Sequence, residues 1–288
     1  MSVSYRLMGI LNTTPDSFSD GGLFADAAAA VRHGLRLADE GADIIDVGGE
    51  STRPGATPVA AEEELRRVLP VVEGLSAARV DARISIDTYR APVARAALAA
   101  GARMVNDVSA FRADPEMAEV VAQSGADCCL MHMLGEPATM QDDPRYEDVV
   151  DEVRAFLEER LEFAVARGVA RERILLDPGI GFGKTVQHNL ELLRRLAELV
   201  TIGAPIVVGT SRKGFLGQIV ARAAGRREPP DARERLAGTV ASNVIAFERG
   251  ASVFRVHDVA PVGEALAVAA ATLGGRWTAS STGTTTAG

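Results

Sequence analysis

The chain has 288 residues, 47% of them hydrophobic, with a formal net charge of −8, which supplies one large core and, with no basic block to displace counterions, argues against nucleic acid as a partner while leaving room for a small anion at local Lys and Arg. No run is long and apolar enough to span a membrane, and Met1–Leu7 lacks the basic and apolar parts of a secretion signal. Adjacent Cys128 and Cys129 face opposite ways on any strand and cannot easily pair, so a cytoplasmic, disulfide-free protein is expected.

Read in order, the chain alternates short apolar runs with Ala-rich segments of helical period. Met8–Asn12 comes first, then a long connection NTTPDSFSDGGLF (Asn12–Phe24) and a helix over Asp26–Gly41. Ile44–Glu50 leads into GGESTRPGAT (Gly48–Thr57) and a helix over Pro58–Ser76, with Glu62, Glu63 and Glu64 where the helix dipole favours acids. The runs Ile84–Asp87, Met104–Asn106 and Cys129–His132 precede helices over Pro92–Gly101, Pro115–Gly125 and Arg145–Gly168. Ile174–Asp177, Ile206–Lys213 and Val253–His257 precede helices over Asn189–Val200, Asp231–Gly250 and Pro261–Leu273. Gly at a helix end suits a left-handed terminus.

Eight strand–helix alternations mean parallel strands with right-handed crossovers, and the length suits one (β/α)8 TIM barrel of roughly 250 residues. The expected organisation is a barrel over residues 1–275 and a disordered tail over 276–288, built almost wholly of Ser, Thr, Gly and Ala. In such barrels chemistry sits at the C-terminal ends of the strands. The two long Gly-, Pro-, Ser- and Thr-rich connections lie on that face, so they read as binding loops, with Asp16, Phe18, Asp20, Thr52 and Arg53 as their chemistry.

The strand ends carry the candidate site. Asp87 and Asp177 each present a carboxylate able to accept two hydrogen bonds from an amidine-like edge, and Asn106 adds one donor group and one acceptor. Together they fit a flat, nitrogen-rich ring. The competing reading is a cap or turn, above all for Asp177, which precedes Pro178. Asp177–Thr185 reads DPGIGFGKT and ends like a P-loop, but Pro178 stands where the first glycine belongs, and Lys184 where a dinucleotide fingerprint needs its third. These glycines instead let backbone approach a flat ligand, with Phe182 as an apolar wall. Lys213, Arg255 and His257 form an anion or polar-ring site where barrels often bind phosphate. Asn12 offers a neutral carbonyl ligand that, with substrate phosphates, suits Mg²⁺. The four histidines show no zinc spacing, and no Gly-x-Ser-x-Gly elbow is present.

The segments MGILNTTPDSFSDGG, DIIDVGGESTRPGA, ISIDTYR, MVNDVSAF, CLMHM, LLDPGIGFGK, GTSRKGFLG and FRVHDV together resemble the dihydropteroate synthase family, from about Leu7 to Ala270. The resemblance implies a Mg²⁺-dependent transferase of folate biosynthesis that joins 4-aminobenzoate to (7,8-dihydropterin-6-yl)methyl diphosphate and releases diphosphate. It implies that Asp87, Asn106, Asp177 and Lys213 hold the pterin, with Met131 packing on it and Arg255 covering its face. Asn12, Arg53, Arg255 and His257 fall at the diphosphate, Asn12 also at Mg²⁺. Phe18, Thr52, Pro54, Phe182, Lys213 and Gly214 fall around 4-aminobenzoate, and Asp20 joins Asp87, Asp177 and Lys213 in the catalytic set.

One departure stands out: the family commonly has Ser after the lysine of Ser-Arg-Lys, and here the residue is Gly214. A hydroxyl near the aminobenzoate carboxylate, and near its sulfonamide mimics, is thereby lost. A homodimer through helices of the C-terminal half is expected on the resemblance. A methyltetrahydrofolate-dependent methyltransferase domain would need a cobalamin-binding unit, for which the chain has no room. A silent pterin-binding paralogue would have lost some of Asn12, Asp20, Lys213, Arg255 and His257, all of which are present.

Overall fold

Short runs rich in Ile, Val, Leu and Met form eight parallel strands: β1 Arg6–Asn12, β2 Ile44–Gly48, β3 Arg83–Asp87, β4 Met104–Asp107, β5 Asp127–Met131, β6 Ile174–Asp177, β7 Val207–Val208 and β8 Val253–Val256. The computed structural model describes residues 4–13, 22–51, 59–135 and 139–274. The strands neighbour one another in the order β6-β5-β4-β3-β2-β1-β8-β7. A parallel bridge between Leu176 and Ile206, with the Leu176 N–H donating to the Pro205 carbonyl at 3.0 Å, joins the two ends and closes the barrel. The expected (β/α)8 architecture is the observed one.

Strand alternation divides the core into two shells. Residues of one parity, among them Leu7, Leu11, Ile45, Val47, Ile86, Leu130, Leu176 and Phe254, pack outward against the helices. The other parity packs inward, where Met8, Ile44, Met104, Cys129, Leu175, Val207 and Val253 fill the barrel as one apolar ring. This ring is a solid plug, so a ligand reaches the interior only from above it, at the C-terminal strand ends. Cys128 faces the outer shell and Cys129 the inner; both are buried free thiols.

Around the strands lie α1 Gly22–Asp39, α2 Ala61–Ala77, α3 Ala91–Ala100, α4 Met117–Ser124, α5 Val149–Ala166, α6 Val186–Arg194, α7 Leu196–Val200, α8 Gly214–Ala223, α9 Leu236–Glu248 and α10 Val259–Gly274. Several expectations need correcting. α1 begins at Gly22, so Asp26 lies inside the helix rather than at its cap. The single helix expected over Asn189–Val200 is two, broken at Arg195, whose φ of −103° and ψ of 18° leave the helical region. The run Ile206–Lys213 contributes only two residues of strand; Gly209 onward turns across the barrel mouth and enters α8, a helix the sequence reading left out. No described helix is long and apolar enough to cross a membrane. The proposed tail over 276–288 and the loop residues Asp16, Phe18, Asp20, Thr52, Arg53 and Pro54 lie outside the described residues.

Candidate active site at the strand ends

Two residues above the apolar ring the inward positions turn polar. β2 supplies Asp46, β4 Asn106, β6 Asp177 and β8 Arg255, with Met131 of β5 among them. Asp87 ends β3 opposite Gly48. These side chains meet: the Arg255 Nε donates to Asp46 Oδ2 at 2.7 Å, and its Nη2 to Asp87 Oδ2 at 2.6 Å. The Asn106 Nδ2 donates to the same Asp46 oxygen at 2.9 Å. Asp46 Oδ1 and Ser85 Oγ are buried without a hydrogen-bond partner. The interior therefore holds acceptor capacity that the protein itself leaves unused.

Asp46 was not singled out by sequence. The available signal was a carboxylate in the middle of an apolar strand, Ile-Ile-Asp-Val, where a buried charge requires a partner. Strand-end reasoning passed over it because it sits one pleat below the end.

Asp177 serves two purposes. Its Oδ1 accepts from the Gly179 N–H at 2.6 Å, forming the Asx turn that the following Pro178 favours. The turn and ligand readings are thus compatible, since one oxygen makes the turn and the other remains. Gly179 has φ of +66°, and a side chain there would run into the His132 carbonyl oxygen. A side chain at Gly183 would likewise meet the Leu134 carbonyl. Gly179 and Gly183 are thus required by close approach to the segment after β5, while Gly181, with φ of +84°, faces the Lys213 stem at the mouth. Lys184 also belongs to the scaffold. Its buried Nζ contacts His132 Nδ1 and the Phe182 carbonyl, each at 2.9 Å. Burial pushes His132 down to about 2, helped by Lys184 and Arg112, so its ring is neutral.

Lys213, by contrast, reaches across the mouth. Its Nζ donates to the Ile180 carbonyl and lies 4.6 Å from the centre of the Phe182 ring. Gly209 lies beside it, with Lys213 Nζ 3.9 Å and Arg255 Cβ 3.8 Å from where a side chain would begin. Phe182 and Tyr89 pack against an apolar wall of Val108, Met131, Met133 and Met140 beside the polar floor. Gly214 is the first residue of α8 and is exposed, with nothing within 4 Å of where a side chain would begin.

Burial dominates the electrostatics. It lifts the Asp87 carboxyl to about 7 against the pull of Arg255, with Asp46 and Glu64 adding to the rise. Asp177 is raised by burial against Lys213. Lys213 is pushed down by burial to about 8 although Asp177 attracts its charge. For Arg255 burial acts downward, but Asp46 and Asp87 outweigh it and hold the guanidinium charged. The result is a floor of carboxylates and one amide, crossed by a fixed cation, with a titratable ammonium above it. That pattern reads the N–H edge of a planar heterocycle and tolerates charge changing on it.

At the rim, Asn12 ends β1, and its side chain makes no hydrogen bond among the described residues. Gly48 lies between it and Asp87: a side chain at Gly48 would come within 3.8 Å of Asn12 Oδ1 and 3.6 Å of Asp87 Oδ2. The bases of the two long loops are tied together here, because the Thr13 N–H and hydroxyl both donate to the Gly48 carbonyl, at 2.8 and 3.1 Å. The second loop's far end is held by Arg90, which donates to Glu50 at 2.6 Å and the Val59 carbonyl at 2.8 Å and also pairs with buried Glu64.

Comparison with known proteins agrees with this geometry. A family model described as pterin binding enzyme matches residues 8–257. A dihydropteroate synthase of Mycobacterium leprae is 50% identical over 269 residues, covering 93% of each chain. The chain belongs to the dihydropteroate synthase family. A solved Xanthomonas albilineans dihydropteroate synthase with 4-aminobenzoic acid superposes with a TM-score of 0.86 at 48% identity, covering 94% of this chain and 93% of that one. Another from the same organism, in complex with 7,8-dihydropteroate, gives 0.83 at 44% identity over 95% of each. Family membership makes the chain a transferase, and the structure brings together Asp87, Asn106, Met131, Asp177, Lys213, Phe182 and Arg255 in one mouth. Gly214 heads α8 directly after Lys213, and His257 lies two residues beyond Arg255.

Proposed function

We propose that this mouth carries out the family's condensation: 4-aminobenzoate attacks (7,8-dihydropterin-6-yl)methyl diphosphate, giving 7,8-dihydropteroate and diphosphate. The carrying observation is the set Asp46, Asp87, Asn106 and Arg255, joined by hydrogen bonds above the apolar plug, with Asp177 within electrostatic reach of Arg255. Asp87 and the outer oxygen of Asp177 accept from the pterin's N–H edge, Asn106 supplies its complementary pair, and Met131 packs on the ring. Asp46 holds Arg255 and Asn106 in place.

The C–O bond to diphosphate breaks as positive charge develops on the exocyclic methylene. The electron-rich dihydropterin delocalises that charge, and the surrounding carboxylates stabilise it. The aminobenzoate nitrogen lone pair then forms the new C–N bond and loses a proton. An arylamine needs no strong base, which favours a dissociative displacement. Arg53, Arg255 and His257 take up diphosphate charge. The wall of Phe182 and the stem of Lys213 flank the arylamine, with the N-terminus of α8 at Gly214 beside its carboxylate, and Phe18, Thr52 and Pro54 close over it. Asp20 joins the catalytic set on the resemblance.

The donors fit Mg²⁺ as a cation held chiefly by its substrate. Asn12 Oδ1 is a neutral oxygen at the rim, and no group of three acidic, His or Cys side chains converges among the described residues. When bound, Mg²⁺ supplies positive charge to the leaving diphosphate, and Asn12 is the residue that would hold it. A homodimer places its interface on α9 and α10, where Ile245 is 42% and Val268 68% exposed; sedimentation at micromolar concentration should show a dimer. The activity is tested by incubating the protein with pterin diphosphate, 4-aminobenzoate and Mg²⁺. Dihydropteroate should accumulate with stoichiometric pyrophosphate, and its absence would refute the reading.

A further inference from the structure

The turn that carries Lys213 also carries Ser211, a residue the reaction has not yet used. Ser211 is buried, and its Oγ makes two contacts with one residue. The His257 backbone N–H reaches it at 3.1 Å, and the His257 ring Nδ1 lies 2.9 Å away. A backbone N–H can only donate, so Oγ is the acceptor in the first contact. Oγ has a second lone pair, so an Nδ1–H would also find an acceptor there, but the buried hydroxyl hydrogen would then lack an acceptor among the described residues; donation to Nδ1 gives it one. In a neutral imidazole one nitrogen accepts and the other carries the proton. A hydroxyl donating to Nδ1 therefore assigns the proton to Nε2.

We propose that Ser211 is a positioning residue that fixes His257 as the Nε2–H tautomer, making a neutral histidine a hydrogen-bond donor to the diphosphate. This rests on His257 lying at the diphosphate in the proposed function. Without such a fixed donor, a neutral ring can present its lone pair to an anion and repel it.

The scaffold behind Ser211 is built to hold it still. Arg212 adopts a left-handed backbone, φ +58°, which a non-glycine residue enters only under constraint. Its N–H donates to Thr239 Oγ1 at 3.0 Å, its carbonyl accepts from Arg235 at 2.9 Å, and its guanidinium grips Asp258 with two bonds, at 2.9 and 2.5 Å. On the other side, Thr210 Oγ1 accepts from Ser242 at 2.8 Å and Asn243 at 3.2 Å. Thr239, Ser242 and Asn243 are all buried on α9. A helix with buried polar side chains thus clamps the residues on either side of Ser211, while Asp258 ties the turn to the residue after His257. The ties at Thr210 and Arg212 hold Ser211 beside the ring.

The test is ¹⁵N spectroscopy of the histidine rings at alkaline pH, with His257 assigned by loss of its signals in His257→Gln. In the unchanged protein Nε2 should show the shift of a protonated nitrogen and Nδ1 that of a hydrogen-bonded acceptor. Ser211→Ala should move both signals, and Ser211→Thr, which keeps the hydroxyl, should restore them. A protonated Nδ1 in the unchanged protein, or signals that ignore Ser211→Ala, would overturn the proposal; a merely structural serine would not set which nitrogen is protonated. In parallel, inorganic pyrophosphate binding in the presence of Mg²⁺ should weaken at least fivefold in Ser211→Ala and recover in Ser211→Thr. If His257→Gln binds pyrophosphate as tightly as the unchanged protein, the placement of the diphosphate fails, and the ring spectrum alone decides the role of Ser211.

Discussion

At the scale of single residues, the two roles of Asp177 can be separated. Asp177→Asn keeps an oxygen to accept from Gly179, so the turn should survive. The second position becomes an NH₂ group facing the pterin's own N–H edge. A buried polar group without its partner costs about 1–3 kcal/mol, more when charge is involved. Calorimetry should show pterin affinity falling at least tenfold with the thermal midpoint little changed. Unchanged affinity would reduce Asp177 to a turn residue. Acidity gives a second expectation. Asp87 must be ionised to accept from the ring, and burial has raised it to about 7. Lys213 must carry its proton to donate, and burial has lowered it to about 8. Catalytic efficiency toward the pterin diphosphate should therefore climb through about pH 7 and decline above about pH 8, as a narrow bell. Asp87→Asn should remove the acid limb. Stability should respond with the opposite sense on the acid side. Because the folded Asp87 carboxyl is raised above its unfolded value, its contribution is present below pH 4 or so and is lost as pH rises through about 7. The group is costly to ionise in the empty site, which is the condition in which a ligand's N–H edge gains most by binding.

At the scale of elements, the barrel was legible because its strands obey a rule visible in one dimension: apolar runs end in Asn, Asp, Arg or His, then turn into an Ala-rich helix. Asp87, Asn106, Asp177 and Arg255 were found that way. Asp46 was not, since it sits within its run and only the closed barrel shows that it faces Arg255 from across the interior. α8 was missed because its N-cap is Lys213, with no side-chain cap, and its first residues are Gly and Phe. The helix forms because tertiary packing of Phe215, Leu216 and Ala221 overrides a weak start. The break between α6 and α7 carries no Gly or Pro to announce it. Gly179 and Gly183 read as ligand-facing in the sequence and face carbonyls in the fold, because sequence alone cannot tell a close ligand from a close carbonyl. α8 also yields a prediction. Gly214→Ser adds a hydroxyl at its first residue, where nothing stands within 4 Å. Helix propensity improves by a few tenths of a kcal/mol, and a hydrogen bond to the aminobenzoate carboxylate adds about 1.5–3 kcal/mol. The KM for 4-aminobenzoate should fall about tenfold or more, with sulfonamide inhibition strengthening in parallel and the KM for the pterin diphosphate unmoved. A KM for aminobenzoate that stays put would place its carboxylate elsewhere.

At the scale of the whole molecule, the two substrates are coupled by the architecture of the mouth. The plug of Met8, Ile44, Met104 and their neighbours leaves a single entrance, so both ligands come from the same side. In the proposed function the pterin takes the floor, which lies deepest, and aminobenzoate takes the wall of Phe182 and the head of α8. Aminobenzoate arriving first would face an unfilled floor and cover the way to it. The two long loops also share an anchor, since Thr13 of the first donates twice to Gly48 at the start of the second. A ligand that engages one loop should therefore bias the other. In the proposed function bound diphosphate is to engage Arg53, and Phe18, Thr52 and Pro54 are then to enclose the arylamine. Aminobenzoate should accordingly bind well only after the pterin diphosphate. A coupling free energy of about 1–3 kcal/mol corresponds to roughly a 5- to 150-fold difference in affinity. Titrating 4-aminobenzoate in the presence and absence of pterin, pyrophosphate and Mg²⁺ measures it. Arg53→Ala should weaken aminobenzoate use far more than pterin binding, because it removes the link between the loops and the diphosphate while leaving the floor of Asp87, Asn106 and Asp177 intact. Equal aminobenzoate affinity in both titrations would rule out the ordered scheme and reduce the two loops to connectors.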